Sequence, residues 1–308
     1  MNIDSLKQLR RTDYQYSAGE DSVAKEKERI DVLLVEQGYY ESREKAKAAV
    51  MAGLVFTGTE RLEKPGMKIA RDLPLTVKGA PHPYVSRGGL KLEKAITAFG
   101  LKLEDARMLD IGASTGGFTD CALQHGAARV YAIDVGYNQL DYSLRNDPRV
   151  HVMERTNFRY MEPEHLEEFV PDFASIDVSF ISLRLILPAL AKLLPGGGRI
   201  VALIKPQFEA GREQVGKSGV VRDAKVHESV LETVLEFAWQ LGFVLEGLTY
   251  SPITGGEGNV EFLAYWTYKG AAPGDASSEQ GDRDKPDYAG LIRETVHQAH
   301  HTFRSSPG

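Results

Sequence analysis

The chain has 308 residues, room for one large domain and one small one, with 42% hydrophobic and 26% charged residues, an ordinary composition for a soluble protein. Its net charge of -6 rules out a global basic field, and its single cysteine, Cys121, rules out a disulfide within the chain. No apolar run is long enough for a membrane span, and the start MNIDSLKQLRR has no signal-peptide core, so a cytoplasmic protein is expected.

Residues 1–28 are polar and poor in aliphatics and read as a solvated leader. A small unit follows over 29–80. In RIDVLLVEQGYY, Ile30, Leu33 and Leu34 have helical spacing, and Gly38 closes the helix. SREKAKAAVMAG repeats the design, with Ser42 as N-cap and Gly53 at its end. LVFTGTERLEKPGMKI reads as short strands separated by turns. The unit carries nine Lys or Arg against seven Asp or Glu. Arg29, Arg43, Lys45 and Lys47 gather near the helix starts, with Arg61, Lys64 and Lys68 on the turns. Such a face can follow phosphates without reading bases, although solvated helix faces with i,i+4 pairs would look the same. Residues 81–88 read as a linker that carries a further basic candidate, Arg87.

From about Met108 to residue 268, strands alternate with helices, which predicts a mostly parallel sheet covered on both faces. The expected strands are RMLDIG, RVYAIDV, VHVMER, FASIDVSF, RIVALIK, FVLEGLTY and VEFLAYWTY. Only PITGGEGN separates the last two, too short for a parallel crossover, so they must pair antiparallel. Residues 269–308 read as a Gly/Ser-rich linker and a short terminal helix. That helix carries His297, His300 and His301 at i, i+3 and i+4; a polar surface face is favoured there over a metal site, and no metal is expected.

LDIGASTGGFTD is a strand, a glycine turn and a helix start. Gly112, Gly116 and Gly117 let the backbone approach a ligand, while Ser114 stands where a dinucleotide fold would place a glycine. Asp134 ends the next strand, where an acid can accept both ribose hydroxyls. Four charges sit at element ends in apolar surroundings: Lys91 in a helix, Asp177 within FASIDVSF, Lys205 after VALI and Glu261 before FLAYW. Singly each reads as a surface charge. Together, two acids and two amines around one sheet could neutralise each other in a single cleft. Pro206 is expected to stop helix or ladder beyond Lys205.

The turn, Asp134 and the antiparallel final pair resemble the class I S-adenosylmethionine-dependent methyltransferases, a Rossmann-like fold with an antiparallel last strand. The resemblance implies S-adenosylmethionine as cofactor, held by Asp110, Gly112, Ser114, Gly116, Gly117 and Phe118, with Asp134 at the ribose. Adenine would lie beside Arg155, Thr156 and Asn157. The Lys-Asp-Lys-Glu set is similar to that of FtsJ-type ribose 2′-O-methyltransferases. SRGGLKL, DIGASTGGFTD, DVSFISL, IKPQFE and GNVEF stand in the order and spacing of the TlyA-like rRNA 2′-O-methyltransferases, a family also labelled haemolysins. Residues 29–80 resemble its small α+β S4 RNA-binding domain, and 89–268 its methyltransferase domain.

That resemblance implies methylation of cytidine ribose in 16S RNA, 23S RNA or both, with ribosomal RNA or subunits as partner. Lys205 would activate the hydroxyl, Asp177 would orient Lys205, and Lys91 and Glu261 would position the ribose and tune the charge. A ribose hydroxyl is a poor acid, so such a group is needed nearby. The alternatives are a non-catalytic ribosome-assembly factor and a haemolysin. A cytosine C5 chemistry would need a cysteine nucleophile, and Cys121 falls inside a helix, where a core role is expected.

Overall fold

A computed structural model of the protein describes residues 27–37, 39–40, 42–57, 60–71, 73, 75–77, 82–255, 258–270 and 286–304. The expected leader up to residue 26, the helix-closing Gly38 and most of the second linker (271–285) lie outside the described residues. The chain divides into two units, Met1–Pro81 and His82–Gly308.

The first unit runs β1 (Lys27–Arg29), α1 (Ile30–Glu36), α2 (Arg43–Met51), β2 (Val55–Thr57), β3 (Glu60–Arg61), β4 (Lys68–Ala70) and β5 (Thr76–Val77). Ser42 caps α2 by accepting the Lys45 N–H. Ile30, Leu33 and Leu34 of α1 meet Ala46, Ala49 and Val50 of α2 over Val55 and Leu62, as the helical spacing requires. β1 pairs antiparallel with β4, and β2 lies between β3 and β5. Asp31 is fully buried and accepts from the guanidiniums of Arg29 (2.8 Å) and Arg43 (2.9 Å), which hold its carboxyl down at about 2.

The second unit begins with α3 (Gly89–Phe99) and continues through β6 (Arg107–Ile111), α4 (Gly117–Gln124), β7 (Arg129–Ile133), α5 (Tyr142–Arg145) and β8 (Val150–Met153). Then come β9 (Phe173–Ile176), α6 (Leu183–Leu193), β10 (Arg199–Ile204), α7 (Pro206–Glu209), α8 (Ala224–Gln240), β11 (Phe243–Tyr250), β12 (Phe262–Tyr268) and α9 (Ala289–Arg304). The sheet order is β11-β12-β10-β9-β6-β7-β8. β12 is antiparallel to both neighbours and the remaining pairs are parallel, so β12 alone runs against the sheet. One apolar layer packs on each face of the sheet. α9 adds Ile292, Val296 and Ala299 to the layer that contains α6 and α8.

Three sequence expectations change. FASIDVSF is a strand only to Ile176; Asp177 still donates its N–H to the Ile111 carbonyl (3.0 Å), while its carboxylate pairs with two amines beyond the sheet edge. Pro206 does not stop a helix but opens one, at the first position, where its missing N–H costs nothing. The terminal helix is not uniformly a polar surface face. His297 and His301 are exposed, but His300 is half-buried, with its Nε2 2.9 Å from Nδ1 of the buried His227 on α8.

Candidate active site

Open parallel sheets place their functional groups beyond the carboxyl ends of the strands. Asp177 follows β9 and Lys205 follows β10 at that edge. Because β12 runs the other way, the residue before it, Glu261, arrives at the same edge. The register fixes this: Ile204 pairs with Phe262, so Lys205 and Glu261 extend adjacent strands past their last rung. Lys91 reaches in from the first turn of α3. All four expected residues therefore meet.

They form an alternating chain of charge. Lys205 Nζ lies 2.5 Å from Asp177 Oδ1 and donates to Ser179 Oγ at 3.1 Å. Asp177 Oδ2 accepts from Lys91 Nζ at 3.3 Å, and the same ammonium donates to Glu261 Oε2 at 2.7 Å. Lys91, Lys205 and Glu261 are buried. Burial pushes the Lys91 amine down, but Asp177 and Glu261 together outweigh it and raise its pKa. Burial likewise pushes the Asp177 carboxyl up, and the two lysines more than reverse this, so it is lowered. Lys91 thus stays an ammonium and Asp177 a carboxylate at neutral pH.

The turn that carries Asp177 and the turn that carries Lys205 are stapled together. Glu209 of α7 accepts from Ser182 Oγ (2.6 Å) and from the Leu183 N–H (2.7 Å) at the start of α6. Beside them stands Phe180, largely exposed with its ring 5.0 Å from that of Phe208, and held at φ 62 without being glycine. Backbone strain of this kind persists where the surroundings over-determine it, and it collects at functional rims. Phe180 was not a sequence candidate, because Ser-Phe-Ile gives no local sign of a left-handed residue.

Two cavities meet here. One, of about 440 Å³, is lined by Gly112, Ser114, Asp134, Thr156, Asn157 and an apolar wall that includes Ile133, Val135, Phe158, Ile181 and Ile186. The other, of about 640 Å³, holds Lys91, Lys205 and Glu261 together with Arg87, Gly117 and Phe118. Gly112, Ser114, Asp177, Ser179 and Phe180 border both. Gly112 (φ +85) passes so close to Asp177 that a Cβ would meet its carbonyl oxygen at 2.6 Å. Asp134 accepts the N–H groups of Ser114 (2.8 Å) and Gly136 (2.7 Å), and its remaining lone pairs are free to accept from a ligand hydroxyl.

The other expected ligand contacts lie elsewhere. Asp110 is fully buried, accepts from Thr119 and Ser175, and is pushed by burial up to about 6; it braces the strand beneath the turn. Gly116 packs against Leu144 and Leu140. Arg155 lies over the Tyr137 ring at 3.9 Å. Cys121 is buried in α4, and burial pushes its thiol up to about 12, so it is core and not a nucleophile.

FtsJ-like methyltransferases match residues 84–268, and the S4 domain matches residues 28–72. The chain is 44% identical over 238 residues to the 16S/23S rRNA (cytidine-2′-O)-methyltransferase TlyA of Mycobacterium tuberculosis, covering 77% of this chain and 88% of that one. The chain belongs to the TlyA family of FtsJ-like methyltransferases. YqxC of Bacillus subtilis is 57% identical over 278 residues, 90% of this chain and 96% of that one. A solved Streptococcus thermophilus structure with a hemolysin label is 55% identical, covers 91% of this chain and 98% of its own, and has a TM-score of 0.69. Among the described residues of this TlyA-family methyltransferase, no helix is long and apolar enough to cross a membrane.

The basic candidates of the S4 unit divide into two groups. Arg29 and Arg43 are tied to Asp31, so each serves the fold as well as presenting charge. Lys45, Arg61, Lys64 and Lys68 are exposed and Lys47 is half-buried. Arg87 lines the larger cavity, and its neighbour Val85 donates its N–H to Asp120. Residues 82–88 are thereby fastened to the catalytic unit.

Proposed function

We propose that the protein methylates ribose 2′-hydroxyls of ribosomal RNA, at cytidines of 16S RNA, 23S RNA or both, in the cytoplasm. The observation that carries this reading is the Lys205–Asp177–Lys91–Glu261 chain at the junction of two cavities. S-adenosylmethionine fits the smaller one: Asp134 has acceptors for ribose hydroxyls, the apolar wall suits a purine, and the tight Gly112 turn leaves room for the methionine end. Bound there, it supplies a methyl group already activated on a sulfonium.

The chain's own residues then have two tasks, alignment and removal of one proton. Lys205 faces one carboxylate and one hydroxyl; once its ammonium has released a proton to solvent, the neutral amine takes the 2′-hydroxyl proton as the oxygen attacks, and the ammonium pair with Asp177 is restored. Asp177 holds Lys205 in place. Lys91, kept as an ammonium by two carboxylates, orients the ribose, and Glu261 fixes Lys91. The S4 unit supplies basic side chains for structured RNA, recognised by shape. The names of the relatives point to the same substrate.

Mapping by mass spectrometry tests the proposal. Ribosomal RNA from cells without the gene should lack a cytidine 2′-O-methyl group that the purified protein restores with S-adenosylmethionine. An unchanged modification map would overturn it.

A further inference from the structure

The catalytic chain of charge cancels itself, two amines against two carboxylates, and the whole protein is acidic. Arg87 is then the one cation in the lining of the larger cavity that the four do not balance, and further charge that grips phosphates must stand on the rim. Between α7 and α8 the chain forms such a rim. Val215, Ser218 and Gly219 line the cavity, while Arg212, Lys217 and Arg222 are exposed beside them.

This segment is built as a shaped turn. Gly219 donates its N–H to the Gly216 carbonyl (2.8 Å), and Gly216 to the Val220 carbonyl (3.1 Å). Beneath it the buried Asn259 uses both ends of its amide: Nδ2 donates to the Gly219 carbonyl at 3.0 Å and Oδ1 accepts the Val221 N–H at 3.1 Å. Asn259 stands two residues before Glu261, so the rim is pinned to the strand start that delivers a catalytic residue.

The charges differ from those on the opposite edge of the sheet. There, Arg107, Arg129 and Arg149 are each neutralised by a carboxylate, at 3.1, 2.9 and 2.7 Å. Among the described residues, Arg212, Lys217 and Arg222 have no carboxylate partner. Of the nearby acids, Glu209 is engaged at the start of α6 and Asp223 caps α8; Glu213 is exposed within the segment, which keeps a cationic excess of two.

We propose that the 211–222 segment is a phosphate clamp for the RNA strand flanking the reacting nucleotide. This rests on the RNA methylation reading above. Its three cations hold backbone phosphates and carry no base preference, so they contribute affinity and salt dependence and leave sequence choice to other contacts.

The test compares two triple variants of the full chain with equal loss of charge. One is R212A/K217A/R222A. The other is K102A/K192A/K269A, which removes three exposed lysines from the opposite edge of the sheet. Binding to a ribosomal RNA fragment is followed by fluorescence anisotropy from low to high salt, alongside methyl transfer and calorimetric affinity for S-adenosylmethionine. The rim variant should bind RNA roughly tenfold or more weakly, with a salt slope shallower by about 2. Its cofactor affinity should match wild type, which confirms folding, and the control variant should keep the wild-type slope. Equal slopes in both variants and the wild type would overturn the clamp. If the wild type transfers no methyl group but the rim variant alone loses RNA binding, the methylation reading fails and the clamp stands.

Discussion

Replacing Lys205 with methionine separates a catalytic amine from a structural one. Methionine keeps most of the side-chain volume, and it leaves Asp177 and Glu261 to share Lys91. Asp177 keeps Lys91 at 3.3 Å, so its carboxylate loses one of two cationic partners. Losing a charge-assisted hydrogen bond costs about 1.5–3 kcal/mol, and at about 2–4 °C per kcal/mol for a domain of this size the melting temperature should drop by about 3–12 °C. Activity should respond far more. Removal of a group that accepts a proton in the transition state costs roughly 10²- to 10⁴-fold, or about 3–5 kcal/mol in the barrier.

The assay is single-turnover transfer of labelled methyl to ribosomal RNA at saturating cofactor, with cofactor affinity measured by calorimetry. Lys205 lines only the larger cavity, so that affinity should stay within about twofold. Lys205→Arg sharpens the result, because a guanidinium keeps the positive charge but cannot give up its proton. It should be as inactive as the methionine variant. A methionine variant within threefold of wild type, or full rescue by arginine, would refute the assignment of Lys205 as the proton acceptor.

Three further outcomes follow from the same geometry. Gly112→Ala places a Cβ 2.6 Å from the Asp177 carbonyl oxygen at φ +85, so it should cost at least about 2 kcal/mol by thermal melting and abolish cofactor binding. Asp134→Ala removes the acceptor for the Ser114 and Gly136 N–H groups; calorimetry should show at least roughly tenfold weaker binding of S-adenosylmethionine. Burial holds the His227 imidazole down to about 4, below its ordinary value, so the unfolded chain binds the proton more readily than the native one. Stability should therefore be full above about pH 6.5 and fall by up to about 3 kcal/mol as pH drops toward 4, and the melting curve of His227→Gln should be flatter over that window.

What could be read from the chain, and what could not, follows from how local each cause is. Alternating strands and helices repeat hydrophobic spacing within a few residues, and the short PITGGEGN loop between the last two expected strands leaves antiparallel pairing as the one choice. The glycine turn is equally local, because Gly112 needs a backbone conformation that side chains resist. The elements that escaped depend on distant partners. β1 is Lys-Glu-Arg, with no strand signal of its own, and it exists because β4 offers a ladder. Asp31 reads as an ordinary polar position on α1 until Arg29 and Arg43 are seen to close over it. His300 reads as one more polar residue until α9 docks against His227.

The four residues proposed as catalytic lie between these cases. None of the four is distinctive alone, since a lysine or an acid at the end of an apolar run is most often a surface charge. Topology makes them a site. Three elements deliver Lys91, Asp177 and Lys205 at the carboxyl edge in the usual way, and their sum would be one excess positive charge in a buried cleft. The reversed direction of β12 brings the beginning of a strand to where the other strands end, and with it Glu261. That reversal balances the cleft, fixes Lys91 as an ammonium and leaves Lys205 with a single carboxylate partner. The antiparallel strand is in this sense part of the chemistry: were β12 parallel, Glu261 would lie at the opposite edge of the sheet, and Lys91 would face Asp177 in competition with Lys205.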